Sequence, residues 1–321
     1  MTELTSTSPL VYDLDLNQLT DLVQSWGEPA YRAKQIWQGI YCQLWDSAQA
    51  FSPLPAGLRA KMSDELRFTG LNPSAVLKSS DGQTVKTLFH LPDGRAIEAV
   101  LMRYEHRQTL CISSQAGCAM GCSFCATGQM GFKRHLTSGE IVEQVLYYAR
   151  MLKQEGKAVT NIVVMGMGEP FHNYENTLAA IDRLNHSDGF NLGARRFTIS
   201  TVGLVPMIRK FAAEKRQINL AISLHASDDQ LRSSMMPVNN KYPIAELIQA
   251  CREYIDATGR RLTFEWALIQ GVNDTPEQAR ALAVLLKGML CHVNVIPLNP
   301  THKFAGTGST RQRAEAFRAE L

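Results

Sequence analysis

The chain has 321 residues, of which 45% are hydrophobic, and this is enough apolar material for the cores of about two globular domains. Its 33 Lys and Arg residues exceed its 30 Asp and Glu residues by only three, so composition alone does not indicate a polybasic nucleic-acid binder, and any basic surface must be local. Residues 1–15 lack the basic start and apolar core of a signal peptide, and no run of 18 apolar residues occurs, so neither secretion nor a membrane location is expected.

The first predicted region is helical. Between Leu19 and Leu66 apolar residues recur every three or four positions, and glycines and prolines interrupt the pattern, as is typical of three or more short helices. Three alternating or β-branched runs follow, over residues 75–78, 84–91 and 96–102, and Asp-Gly pairs between them indicate hairpins. We therefore predict a helical accessory domain over residues 1–72 and a small β-meander over residues 73–104.

From residue 105 onward, strand and helix patterns alternate. The predicted strands cover residues 109–113, 161–165, 196–201, 219–224, 262–268 and 292–297. Helical patterns lie between them, including one over residues 138–155 that Thr137 and Glu140 begin with a capping box. Six such units predict an α/β fold over residues 105–321. Right-handed crossovers would wrap them into an incomplete (β/α)6 barrel with its active face at the carboxyl ends of the strands.

Three cysteines follow the first of these strands within eight residues. The chain has seven cysteines and no export signal, so we expect thiols or metal ligands in a reducing cytoplasm. Cys118, Cys122 and Cys125 can converge on one soft metal centre, and no second Cys-x-x-Cys pair is present for a zinc finger. On a four-iron cluster, three cysteines leave one iron open for reaction. A zinc site completed by His135 or Cys111 is the alternative.

The Cys-x-x-x-Cys-x-x-Cys spacing is typical of radical S-adenosylmethionine enzymes, and the surrounding motifs narrow the resemblance. These motifs are Cys111-Ile-Ser-Ser-Gln, Ala126-Thr-Gly, Gly131-Phe, Met167-Gly-Glu-Pro, Ser200-Thr-Val-Gly, Ser223-Leu-His-Ala and Val293-Asn294 through Asn299-Pro300. From about residue 19 to residue 299, the chain resembles the RlmN/Cfr family of radical methyltransferases, and specifically the adenine-C2 methyltransferases of 23S ribosomal RNA and tRNA. The resemblance implies that Cys118, Cys122 and Cys125 hold a [4Fe-4S] cluster.

Polar residues lie at the carboxyl ends of several of the predicted strands. A carboxylate at a strand end, such as Glu169, can accept hydrogen bonds from a cofactor ammonium group, although helix capping is an equally simple role. Each of the other residues could be a turn former, but together they place hydrogen-bonding groups around one rim. The resemblance implies that the following residues contact S-adenosylmethionine: Gly168, Glu169, Ser200, Ser223, Leu224, His225 and Asn299.

Two further residues gain a role only from the resemblance. Alternation along its strand predicts that Glu98 faces solvent, and Cys111 reads as a small core thiol. In the family, a first S-adenosylmethionine methylates a C-terminal cysteine, and a radical derived from a second takes hydrogen from that methyl group so that it adds to adenine C2. The resemblance makes Glu98 the acceptor of the C2 proton. It makes Cys111 the thiol that releases the product through a transient disulfide bond.

The expected partners also come mainly from the resemblance. It implies 23S rRNA and tRNA substrates, which the helical domain over residues 1–72 helps to bind, and an electron donor such as flavodoxin or ferredoxin. We expect a monomer. Candidate phosphate contacts are basic residues near the cysteine loop and the third strand, although a solvated surface explains them equally well. They are Lys133, Arg134, His135, Arg195 and Arg196.

The chain departs from the family pattern near its end. No cysteine follows Cys291, whereas the methyl-carrying cysteine of the family lies beyond the segment that matches Asn299-Pro300. A helix is predicted over residues 311–321 with Ser309 as its cap. We expect either a shortened form of the enzyme or a divergent relative that binds RNA, cluster and cofactor without the full reaction. Methylation at adenine C8 instead of C2 is the alternative within the enzyme class.

Overall fold

A computed structural model describes residues 8–321, so the expectation about residues 1–15 lies partly outside the described residues. Contacts between backbone positions divide the chain into two compact units. The first unit contains residues 8–116, 135–166 and 173–197, and the second contains residues 117–134, 167–172 and 198–321. The domain boundaries expected from the sequence stay a prediction.

Within residues 8–321, helices come first, a run of strands follows, and the two kinds of element then alternate. The helices are α1 Leu16–Ser25, α2 Tyr31–Tyr41, α3 Ala56–Glu65, α4 Ala126–Met130, α5 Ser138–Gln154, α6 Tyr174–Asn185, α7 Val205–Ala213, α8 Asp229–Met235, α9 Ile244–Thr258, α10 Pro276–Leu286 and α11 Arg311–Glu320. The strands are β1 Asn72–Lys78, β2 Thr84–His90, β3 Ala96–Tyr104, β4 Arg107–Cys111, β5 Gln115–Ala116, β6 Arg134–His135, β7 Asn161–Val164, β8 Phe197–Thr201, β9 Asn219–Ser223, β10 Leu262–Leu268 and β11 Cys291–Pro297. Short 3-10 helices lie at Val11–Asp13, Ala48–Ala50, Ala194–Arg196 and Pro237–Asn240.

The first unit contains the predicted N-terminal helices and the predicted meander. Strands β1 to β4 pair in antiparallel order, and β7 pairs in parallel with β4. Along β3, Ile97, Ala99 and Leu101 are buried, while the residues between them are only partly buried. The hydroxyl of Tyr148 on α5 bonds to the Ala99 carbonyl at 2.8 Å, so this helix is fixed to the buried face of the strand. The other face of the strand carries Glu98.

The second unit is a parallel α/β layer. Strand β9 pairs in parallel with β8 and β10, and β11 pairs in parallel with β10. Parallel strands connected by helices bring their carboxyl ends to one edge, where the loops of the predicted site begin. The α/β fold expected from the sequence is confirmed, whereas closure into an incomplete six-unit barrel stays a prediction.

Two expectations about helix starts have different outcomes. The capping box at α5 is confirmed, since Thr137 Oγ1 accepts from Glu140 N at 3.2 Å and Glu140 Oε2 accepts from Thr137 N at 2.9 Å. The expected cap of α11 is wrong. Thr310 caps that helix, because the hydroxyl of Ser309 donates instead to Asp274 at 2.6 Å.

No helix within residues 8–321 is both long enough and apolar enough to span a membrane. The cytoplasmic location stays a prediction.

Candidate functional site

The cysteine loop is a closed turn within the second unit. Cys118 N donates to the Gly131 carbonyl at 3.2 Å, which joins the two ends of the segment. At the adjoining Gly117, φ is +74°, and a Cβ built there would lie 1.9 Å from the same carbonyl oxygen. Only glycine fits at this position, because a side chain would separate the two ends of the loop.

The three thiols form one soft donor set. Cys118 and Cys122 are buried and Cys125 is partly exposed. Burial above all, with smaller contributions from the charges of Glu169 and the neighbouring sulfurs, raises the pKa of Cys118 to about 11 and that of Cys122 to about 12. Three sulfur ligands on one glycine-containing loop fit an iron–sulfur cluster in the chemistry of their donors. Within residues 8–321, no three His, Cys, Asp or Glu side chains are placed to hold a single metal ion.

Apolar side chains surround the loop. Cys122 packs in a buried cluster with Met235, Met236 and other hydrophobic residues. Ser123 N donates to the Met235 carbonyl at 2.9 Å, so the loop is also bonded to the end of α8. The ring of Phe124 meets His225 edge to face, with centroids 5.0 Å apart. These contacts shield the thiols from water on the protein side.

Glu169 is 2% exposed, and backbone amides occupy its carboxylate. Oε1 accepts from Phe171 N at 2.9 Å, and Oε2 accepts from Val202 N at 2.8 Å. Burial raises its pKa to about 7, although these hydrogen bonds lower it in part. Glu169 therefore joins its own loop to the loop after β8, a structural role that the helix-capping alternative did not describe.

The other predicted cofactor residues cluster at the ends of β8 and β9. The hydroxyl oxygens of Ser200 and Ser223 lie 3.5 Å apart. His225 has a φ of +60°, and its Nδ1 accepts from Ala267 N at 2.9 Å. Burial, together with the positive charge of Arg232, lowers the pKa of His225 to about 3, so the ring is neutral at pH 7.

The remaining three predicted cofactor residues differ in exposure. Leu224 is fully buried and acts through its backbone, since its carbonyl accepts from Arg232. Gly168, with a φ of +106°, precedes Glu169, and Asn299 is exposed after β11. All seven predicted cofactor residues and the three cysteines thus belong to the second unit.

Glu98 and Cys111 lie in the first unit and share one face of its sheet. Val100 pairs directly with Cys111, and Glu98 is two residues from Val100 on the same strand, so all three side chains project to one side. Glu98 is half-exposed and forms an ion pair with Lys86 at 3.1 Å. Burial raises the pKa of Cys111 to about 11. The solvent-facing position expected for Glu98 agrees with its partial exposure.

Sequence reasoning missed Glu265, a buried carboxylate in the second unit. Glu265 Oε2 accepts from Asn294 Nδ2 at 2.8 Å, and burial raises the pKa of Glu265. In the strand register, Glu265 lies between Ser223 and Asn294, so the three side chains form a row on one face. The available signal was a charged residue between Phe264 and Trp266 in an apolar strand.

Comparison with known proteins gives consistent matches. The profile of the radical SAM superfamily matches residues 112–283, and that of the ribosomal RNA large subunit methyltransferase N-terminal domain matches residues 11–67. The probable dual-specificity RNA methyltransferase RlmN of Chloroflexus aurantiacus is 51% identical over 301 residues, which cover 90% of this chain and 80% of that protein. The dual-specificity RNA methyltransferase RlmN 1 of Myxococcus xanthus is 47% identical over 315 residues, with coverages of 98% and 88%.

A solved structure agrees with these relatives. The crystal structure of a radical SAM methyltransferase from Sphaerobacter thermophilus has a TM-score of 0.95 and 51% identity, and it covers 97% of this chain and 92% of that one. The superfamily uses a [4Fe-4S] cluster and S-adenosylmethionine, and the cysteine loop fits the cluster, so the predicted cofactors are confirmed. The chain therefore belongs to the radical SAM superfamily and, within it, to the RlmN family of dual-specificity RNA methyltransferases.

Proposed function

We propose that this enzyme methylates carbon 2 of adenine in 23S rRNA and tRNA, and that the methyl group passes through a cysteine thioether. Carbon 2 of adenine is electron-poor, so it does not attack a sulfonium methyl group as an ordinary nucleophile would. A carbon radical can add to it instead, which explains the need for a radical cofactor. The names of the relatives support an RNA substrate, since they are dual-specificity RNA methyltransferases.

In this proposal the second unit binds the cofactors. Cys118, Cys122 and Cys125 ligate the cluster, and the seven strand-end residues described above hold S-adenosylmethionine. When bound, the reduced cluster supplies the electron that cleaves S-adenosylmethionine and so provides the 5′-deoxyadenosyl radical. Because Nδ1 of His225 already accepts from Ala267 N, the neutral ring carries its proton on Nε2, where it can donate a hydrogen bond without placing a positive charge beside the sulfonium.

In the first unit, Glu98 accepts the proton that leaves adenine C2. Cys111 then attacks the sulfur that carries the methylene group, so that a transient S–S bond replaces the S–CH2 bond. The methylene carbon keeps the electron pair of the broken bond and takes up a proton to become the methyl group, and the one excess electron of the radical adduct passes back to the oxidised cofactor. The observation that carries this proposal is the common sheet face of Glu98 and Cys111, which allows one bound base to meet both side chains. None of the seven cysteines within the 321 residues is assigned the methyl-carrying role.

The electron donor and the RNA contacts extend the proposal. We assign reduction to a flavodoxin or ferredoxin. The N-terminal helices bind RNA, with further phosphate contacts from exposed basic residues. Of these, Lys133, Arg195 and Arg196 are exposed, and Arg195 and Arg196 lie together on one 3-10 helix. The protein acts as a monomer in this proposal.

The site of methylation can be read directly from RNA. The gene is expressed in bacterial cells that lack their own RlmN-type gene, and 23S rRNA and tRNA are digested and compared with methyladenosine standards by mass spectrometry. We expect 2-methyladenosine in both RNAs. Detection of 8-methyladenosine would show that the enzyme methylates carbon 8 of adenine instead. Absence of both methyladenosines would indicate a relative that binds RNA without methylating it.

The proton acceptor is tested with a neutral variant. Glu98→Gln should abolish methylation while purified protein still forms 5′-deoxyadenosine, because the substitution removes only the base. Glu105→Gln is the matched control, since that side chain lies beyond the end of the same strand and is 87% exposed. Full methylation by Glu98→Gln would contradict the proposed role.

The three-cysteine cluster is tested by metal content. Anaerobically purified protein should contain iron and sulfide, and Cys122→Ala should lose both. Cys251→Ala is the matched control, because Cys251 is also fully buried but lies on α9. One tightly bound zinc and no sulfide would contradict the radical mechanism.

The methyl-carrying thiol is tested with the 321-residue chain itself. With S-adenosylmethionine and a strong reductant, this chain should form some 5′-deoxyadenosine but leave RNA unmethylated, since none of its cysteines is assigned to carry the methyl group. Cys291, the only cysteine near the C-terminal end, is the first residue of β11 and is fixed in the sheet by its pairing opposite Leu262. Methylation by these 321 residues alone would contradict the thioether route as proposed.

A further inference from the structure

The guanidinium of Arg232 on α8 is fully buried. It donates to the carbonyls of Val202 at 2.7 Å, Ser223 at 3.1 Å and Leu224 at 3.1 Å, and to Asn239 Oδ1 at 2.9 Å. Every one of these acceptors is a neutral oxygen. Within the described part of the chain, Arg232 forms no ion pair with a carboxylate.

A buried charge without an opposite charge is strongly unfavourable, so its presence calls for an explanation. The carboxylate of Asp229 favours the charged form of Arg232 but makes no ion pair with it. Its Oδ1 accepts from Asn239 Nδ2 at 2.9 Å and from Ile244 N at 2.8 Å, so it supports the surrounding loop instead. The positive charge of Arg232 is therefore compensated only in part, by a carboxylate with which it forms no ion pair.

The same helix contacts the cysteine loop. Ser123 N bonds to the Met235 carbonyl, and Cys122 packs against Met235 and Met236, which directly follow the turn that carries Arg232. Met235 and Met236 come three and four residues after Arg232, so they lie on the same face of this helix as Arg232. Three ligating thiolates would place negative charge on this side of Arg232.

We propose that Arg232 supplies a fixed positive charge that stabilises the reduced state of the [4Fe-4S] cluster and so raises its reduction potential. The inference rests on the proposed ligation of that cluster by Cys118, Cys122 and Cys125. One electron from an external reductant takes the core from 2+ to 1+, so the core and its three thiolates together change from −1 to −2. A nearby cation favours the more negative state. Arg232 is a positioning residue, because it acts on the cluster without a bond to it.

The test is an electron paramagnetic resonance redox titration of the reconstituted protein. Arg232→Met removes the charge, and at the wild-type midpoint potential we expect the ratio of reduced to oxidised cluster to fall about tenfold. This corresponds to a shift of about 59 mV for one electron. Arg232→Lys keeps the charge, so its midpoint should stay close to that of the wild type.

A second pair of variants separates charge from hydrogen bonding. Asn239→Asp keeps an oxygen acceptor beside Arg232 and adds a negative charge, so it should lower the potential as Arg232→Met does. It also loses the bonds that Asn239 Nδ2 donates to Asp229 and Ser233. Asn239→Ala loses the same donated bonds and the bond to Arg232 without a change of charge, so it should leave the potential unchanged. An unchanged potential in Asn239→Asp with full iron content would overturn the inference even if Arg232→Met failed to hold iron. The proposed ligation fails separately if Cys122→Ala keeps its iron and sulfide.

Discussion

At the scale of a single residue, the buried carboxylate of Glu169 has one observed role and one proposed role. Two backbone amides, Phe171 N and Val202 N, already bond to its two oxygens, and the carboxylate is also the proposed acceptor for the cofactor ammonium group. A carboxylate oxygen has more than one lone pair, so both tasks can be met at once. In the proposed site, the residue therefore couples the shape of the strand-end loops to cofactor binding.

Substitution of this residue should change both properties. Glu169→Gln presents an NH2 group to one of the two backbone amides and leaves a buried N–H unpaired, which should lower the free energy of unfolding by about 1–3 kcal/mol. We expect S-adenosylmethionine affinity to fall about 10- to 150-fold, or about 1.5–3 kcal/mol. Denaturant unfolding and calorimetry measure the two effects. Unchanged affinity in a destabilised variant would leave Glu169 a structural role only.

A second buried carboxylate gives stability a dependence on pH. Glu143 on α5 accepts from Gly70 N at 2.8 Å, and burial raises its pKa to about 7, although nearby backbone amides lower it in part. The folded state holds this proton more tightly than the unfolded state, so stability should fall as pH rises from about 4.5 to about 7. Glu143→Gln should reduce this slope in thermal unfolding at several pH values. Because Glu169 contributes in the same direction, the slope should decrease without disappearing.

At the scale of elements, one hydroxyl fixes α5 to the strand that carries Glu98. Tyr148 lies on the buried side of β3 and bonds to both the Ala99 carbonyl and Thr87 Oγ1, the latter at 2.9 Å. Tyr148→Phe should lower the free energy of unfolding by about 1–2 kcal/mol, since a buried hydrogen bond is lost. Tyr147→Phe is the neighbouring control and should have little effect. Equal unfolding curves for the two variants would contradict this role of Tyr148.

The observed helices and strands also show which features of the fold local sequence patterns can predict. All six strands predicted after residue 105 lie within two residues of their observed bounds, because apolar runs and β-branched residues are local properties. The cap of α11 was predicted wrongly because Ser309 and Thr310 are equivalent by pattern. The choice depends on Asp274, a partner that is remote in sequence. The roles of Arg232 and Glu265 could not be predicted for the same reason, because their hydrogen-bond partners are also remote in sequence.

At the scale of the whole molecule, a net charge of +3 makes RNA binding depend on where the basic residues lie. The double variant Lys133→Ala and Arg196→Ala should weaken RNA binding. It should also reduce the slope of log affinity against log salt by about 0.7–0.9 for each lost phosphate contact. Arg311→Ala is the control, because that side chain is 93% exposed on α11, outside the proposed RNA contacts. An unchanged slope in the double variant would mean that Lys133 and Arg196 are ordinary solvated surface residues that do not contact RNA phosphates.

The closed cysteine loop has a consequence for repair after exposure to oxygen. The contact between Gly117 and the Gly131 carbonyl, together with the bond from Cys118 N, holds the two ends of the loop through protein groups alone. The thiols are therefore brought near one another when the chain folds, before any iron arrives, so much of their ordering entropy is lost in folding rather than in metal binding. A molecule that has lost its iron but kept reduced thiols should accept a new cluster without first unfolding.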